Sequence, residues 1–172
     1  TPYTSITVAA YFTEWLNQAA TEVRPKTYSS YRGNMENRII PYFKEKRTLL
    51  QDLKTIDLED YYRFKVTQGL SPNTVIKHHA IIRSSLQWAL KHQYIKNNPA
   101  DLADKPPRIR YIPNEPYSVD EIVQLLRLTQ NEPIAVPIFL AAFYGLRRSE
   151  ILGLRWSAID FQSGWITIGT TV

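Results

Sequence analysis

From Lys105 to Pro116 the chain reads KPPRIRYIPNEP, four prolines in twelve residues. Proline supplies no backbone N–H and pushes the residue before it out of the α region, so this stretch excludes a helix and favours an extended connector. A chain interrupted in this way folds as two blocks, predicted over residues 1–104 and 117–172, with 105–116 as a proline-rich linker. A length of 172 residues accommodates two small domains.

Charge falls unequally on the two sides. Residues 1–110 carry 17 basic and 10 acidic side chains and residues 111–172 carry 4 and 6, so an overall +5 divides into +7 and −2. No Asp or Glu stands between Asp60 and Asp101, an interval holding Arg63, Lys65, Lys77, Arg83, Lys91, Lys96 and all three histidines. Charge of this kind fits a polyanion-binding module joined to a different module, or a solvated basic surface. The absence of cysteine excludes disulfides, thiolate metal sites and a cysteine nucleophile. The longest strictly apolar run, Ile138 to Tyr144, is too short for a bilayer, so a soluble, intracellular chain is expected. With Val172 closing what reads as a strand, the chain is expected to be a piece of a larger protein.

Thr7 caps a predicted helix whose Val8, Tyr11, Phe12, Trp15, Leu16 and Ala19 form one apolar stripe. Pro25 opens a second, carrying Tyr28, Tyr31, Met35 and Ile39, which Pro41 stops or kinks. A short third helix follows Asp57, presents Leu58, Tyr61, Tyr62 and Phe64, and ends at Gly69. Ser71-Pro72 starts a fourth, with Val75, Ile82, Leu86 and Ala89 on one side, running to Gln93 before Asn97-Asn98-Pro99 terminates it. Four helices suffice for a small bundle. Beyond the linker, Ser118 and Glu121 form a capping box, with Tyr117 and Ile122 at staple positions. Ile134 to Tyr144 is apolar all round and so belongs to a core larger than these residues build. Gly145 closes it, a short helix covers Ser149 to Leu154, and Ser163-Gly164 turns a hairpin between Ala158–Phe161 and Trp165–Ile168.

The common catalytic signatures (glycine-rich phosphate loops, HExxH, GxSxG) do not occur. Adjacent His78 and His79 point about 100° apart on a helix and read as basic-face or core histidines, not as a metal pair. The informative segment runs from Gly145 to Trp156. An arginine behind a helix-ending glycine, with a carboxylate three residues later, is held by that carboxylate. Its planar fork of donors matches two phosphate oxygens. The plain alternative is a surface Arg147–Glu150 pair of little worth. The apolar helix just before it favours instead a guanidinium pinned in a buried setting, where an arginine is expensive unless it has a task.

Gly145-Leu146-Arg147-x-Ser149-Glu150-Ile151-x-x-Leu154-x-Trp156 resembles the first catalytic box of the tyrosine recombinases, or phage integrases. Pro25-Lys26-Thr27-Tyr28, the Ile40-Pro41 break, Ser71-Pro72-Asn73-Thr74 and Asn98-Pro99 resemble the helical core-binding domain of the same family, closest to integrases of Gram-positive phages and conjugative transposons. The resemblance implies a mainly α chain: a four-helix SAM-like core-binding domain, then the N-terminal part, helices plus a hairpin, of an α+β catalytic domain.

It also implies site-specific DNA recombination through a 3′-phosphotyrosyl intermediate, needing no metal and no nucleotide cofactor. In that scheme Arg147 is catalytic and Glu150 is the carboxylate that orients it. Lys26, Arg32, Asn73, Thr74, Lys77 and His78 contact double-stranded DNA at an attachment site. The implied partners are DNA and further copies of the chain, as a tetramer, in the bacterial cytoplasm at the nucleoid, with no membrane. The family's lysine, His-x-x-Arg box and nucleophilic tyrosine are expected beyond Val172, so the 172 residues alone are expected to bind DNA and cleave nothing. Ala158 departs from an aspartate common after the tryptophan. A non-catalytic DNA-binding regulator or architectural protein would account for the basic block but not for the arginine box, and a purely structural helical module would leave the acid-free interval 61–100 unexplained.

Overall fold

The computed structural model describes residues 6–110 and 112–169. It is mainly helical and divides into two compact units, 1–111 and 112–172. The first half of the predicted linker therefore belongs to the first unit. The strand reading at Val172 lies outside the described residues.

In the first unit, α1 (Val8–Glu22) starts where Thr7 caps it, its hydroxyl accepting from the Ala10 N–H, and its predicted stripe is buried from Val8 to Ala19. A short antiparallel bridge, Val8 N–H to Thr48 O and Leu50 N–H to Ile6 O, ties that start to a later loop. Helix α2 (Pro25–Asn34) has Pro25 in its first turn and buries no residue. It runs into a π-helical turn, Met35–Ile39, and then α3 (Ile40–Lys46). Pro41 has no N–H to give the preceding turn, and the helix absorbs this by widening one turn, with Ile40 N–H reaching back to Met35 O. Amide side chains cover carbonyls of this region: Asn34 donates to Ser30 O and Asn37 to Gly33 O. Met35, Ile39 and Phe43 are thereby all buried, so Pro41 kinks the second predicted helix and does not end it.

Helix α4 (Thr55–Thr67) starts ahead of Asp57, which sits in its first turn and accepts from Lys54 N–H at 2.8 Å. Gly69 turns the chain out at φ 88°. Helix α5 (Pro72–Lys91) is capped by Ser71 and ends two residues short of the expectation. Asn98 does more than terminate: it accepts from Ala100 N–H, donates to Arg83 O, and starts a 3-10 turn, Pro99–Asp101, whose Pro99 carbonyl accepts from the Thr55 hydroxyl. The core is strongly aromatic, with Phe12 edge-on to Phe43 and Tyr61 edge-on to Tyr42.

The second unit comprises α6 (Val119–Thr129), α7 (Ala135–Tyr144), α8 (Arg148–Gly153) and a hairpin of β1 (Ile159–Asp160) and β2 (Trp165–Ile166) in the register Ile159 to Ile166. The Ser118–Glu121 capping box forms. Among the described residues of this unit only Leu140 is buried, while Ile134, Val136, Phe139, Phe143 and Tyr144 stay exposed around α7. An apolar helix with an open perimeter is what too small a local core leaves. The hairpin turns at Gly164 (φ 72°), with the Asp160 carboxylate accepting from the N–H groups of Gln162 and Ser163. Among the described residues no helix is long and apolar enough to cross a membrane.

Candidate functional site

Gly145, left-handed at φ 64°, takes the chain off the end of α7, and two residues later Arg147 stands at the N-cap of α8 in extended conformation. Glu150 falls at the third position of that helix. One of its oxygens accepts from the Arg147 backbone N–H at 2.7 Å and the other from the Arg147 guanidinium at 3.1 Å. A single carboxylate thus holds both the main chain and the side chain of one arginine. Its pKa lies below the ordinary carboxylate range, first because it accepts the backbone N–H and further because of the guanidinium itself. The Glu150 side chain is 17% accessible and that of Arg147 83%. The arginine is therefore pinned, but the buried setting expected for it is not formed. Its setting is open because nothing among the described residues covers the apolar perimeter of α7, so the segment gains no second wall. The fork keeps its other donors turned to solvent, where they suit an incoming anion.

Of the side chains predicted to contact DNA, Lys26 lies exposed in the first turn of α2 and Lys77 exposed on α5. Arg32 is exposed and shares Glu36, its Nε within 3.0–3.1 Å of both carboxylate oxygens. Thr74 is half-buried in the first turn of α5, its N–H taken by Ser71. Asn73 and His78 are corrections. The Asn73 amide is committed in both directions to the backbone of Ile109. His78 is fully buried, Nδ1 facing the Tyr61 hydroxyl and Nε2 the Asn34 amide oxygen, because its position on α5 faces α4 and not solvent. Of the two readings for the histidines, core is the one that holds. Arg83 is paired with Asp101 at 2.7 Å, while Lys91 is exposed.

The double hold of Glu150 on Arg147 has a signal in the sequence: the N-cap-to-N3 spacing that marks Ser118 and Glu121 also marks Arg147 and Glu150. The tyrosine partners of the two histidines have none.

Residues 7–66 match the family model of the phage integrase N-terminal SAM-like domain. Tyrosine recombinase XerC of Xanthomonas campestris pv. campestris is 28% identical over 155 residues, covering 88% of this chain and 48% of that protein. The chain is thus similar to tyrosine recombinases, or phage integrases, over most of its length. Solved integrases share its fold. The Tn1549 transposon integrase in complex with circular intermediate DNA aligns with 97% of this chain and 55% of its own at 19% identity and TM-score 0.67. A lambda integrase from a tetramer bound to a Holliday junction aligns over 92% and 46% at 15% identity and TM-score 0.72. The chain spans about half the length of the curated relatives it matches. Its helical first unit and the arginine turn of its second stand in the same order as the motifs by which the sequence resembles the family.

Proposed function

We propose that this chain supplies the duplex-holding block and the first phosphate-gripping arginine of a recombinase that cuts and rejoins DNA at specific sites. The observation that carries the reading is the two-sided hold of Glu150 on Arg147, which leaves an oriented guanidinium open to a phosphate. In the reaction, a tyrosine oxygen attacks the scissile phosphorus and forms a 3′-phosphotyrosyl ester, while the bond to the 5′ oxygen breaks and that oxygen leaves as a hydroxyl. The 5′-hydroxyl of a partner strand then attacks the ester, and the tyrosine leaves, so bond energy is conserved. Arg147 stabilises the charge gathering on the non-bridging oxygens, a contribution of about 10²–10³ in rate for a preorganised donor. Glu150 transfers no proton and only orients.

The first unit lies against the duplex through Lys26, Arg32, Thr74 and Lys77, with copies assembling as a tetramer on the recombining sites. These contacts position the protein on phosphates. The nucleophile is not one of the buried phenols. Burial pushes the Tyr11, Tyr61 and Tyr62 hydroxyls well above the ordinary range, and each is tied to a neighbour.

A nicked suicide duplex tests this. The 172-residue chain binds it with an affinity that falls about 10²–10³-fold between 50 and 200 mM salt, as expected for four to six neutralised phosphates, and forms no covalent adduct. An adduct on this chain reassigns the nucleophile, and a salt-independent affinity removes the DNA reading.

A further inference from the structure

The connector leaves the helical block in a defined way. Asp104 N–H donates to Glu59 on α4 at 3.1 Å. Pro106, half-buried, and Pro107 share a cleft of about 500 Å3 with Glu59, Tyr62 and Val66. Farther along, the Asn73 amide donates to the Ile109 carbonyl at 2.8 Å and its oxygen accepts from the Ile109 N–H at 3.2 Å. Asn73 thus exchanges a donor and an acceptor with one residue, as a neighbouring strand does in an antiparallel pair. The two consecutive prolines make the intervening segment stiff and extended, which lowers the entropy lost on docking it.

We infer that Asn73 is a positioning residue that clasps the connector to the first turn of α5, so that 104–109 are a strap on the first unit and only the residues after Ile109 act as a free tether. An asparagine is required because aspartate keeps the acceptor but loses the donor and repels the Ile109 carbonyl, and alanine loses both. The clasp sets where the tether starts, next to the turn that carries Thr74 and Lys77. The inference does not need the DNA reading, since every contact in it lies within one unit.

Trypsin reports the strap directly, because Arg108 and Arg110 flank Ile109. In N73A, cleavage after Arg108 becomes about tenfold faster, the loss expected for a pair of modest hydrogen bonds, and N73D behaves the same way. Cleavage after Lys96, in the loop beyond α5, stays at the parent rate. A second measurement stands apart from any folding defect of the variants: in the parent chain the Ile109 amide exchanges with deuterium more slowly than that of Asn114. As the chain lacks cysteine, spin labels at S84C and Q124C are unique, and N73A broadens the distance distribution between them. Unchanged cleavage after Arg108, equal exchange at Ile109 and Asn114, or an unaltered distribution overturns the clasp. Salt-dependent duplex binding by the same variants shows separately whether the proposed function holds.

Discussion

The Tyr61 hydroxyl lies 2.8 Å from Nδ1 of His78, and one residue farther along both helices the Tyr62 hydroxyl lies 3.0 Å from Nδ1 of His79. Consecutive tyrosines on α4 thus meet consecutive histidines on α5. The Asn34 amide nitrogen is used on Ser30 O, so its oxygen faces His78 Nε2 at 3.1 Å and can only accept. Nε2 therefore carries a proton, and in the neutral ring, which burial favours, Nδ1 accepts from Tyr61. One buried ring ties α2 to α4 and α5, which gives the otherwise unburied α2 a polar anchor alongside the Trp15–Tyr31 stack.

Stability falls in acid on account of His78. Burial first, then Arg38 and Lys65, depress its pKa from 6.5 to about 4. The unfolded chain binds the proton first, so the contribution is whole above pH 6.5 and is lost as pH drops towards 4, amounting to about 3 kcal/mol. Urea midpoints measured from pH 7.5 to 4 show it, and His78→Asn flattens that part of the curve. An identical slope in the variant rules it out.

Removing the Tyr61 hydroxyl while keeping the ring leaves Nδ1 of His78 buried and without its donor. Tyr61→Phe accordingly costs about 1–3 kcal/mol in denaturant unfolding. A neutral result would mean that the ring nitrogen finds another partner.

Arg147→Lys keeps the charge but loses the planar fork that spans Glu150 and a phosphate. Adduct formation by the proposed recombinase on a suicide duplex falls about 10²-fold or more. The melting temperature stays put, because the side chain is exposed and such pairs add little. Glu150→Gln lowers the rate less, since an amide oxygen still accepts from the Arg147 N–H. Full activity in Arg147→Lys would remove the arginine from the reaction.

Lys26→Ala and Lys77→Ala each weaken duplex binding on any sequence and each reduce the slope of log affinity against log salt by about 0.9. Lys91→Ala, at the far end of α5, is the comparison. Equal effects of all three would indicate diffuse attraction instead of a face.

Relationships that span only a few positions of the chain are legible in the sequence itself. The hydroxyl caps at Thr7, Ser71 and Ser118, the turn glycines at 69, 145 and 164, the stripe from Val8 to Ala19 and the Arg147–Glu150 spacing all follow from backbone chemistry within one or two turns. So does the partition by prolines. Packing between distant segments decides the rest. His78 is a core residue and not a DNA contact because a tyrosine 17 residues away lies across from it, and Asn73 is claimed by Ile109, 36 residues on. The openness around Arg147 depends on what covers α7, which no local pattern states. A residue's own neighbours in sequence settle its φ, ψ and cap, whereas its burial and its hydrogen-bond partners belong to whichever helix happens to lie across from it.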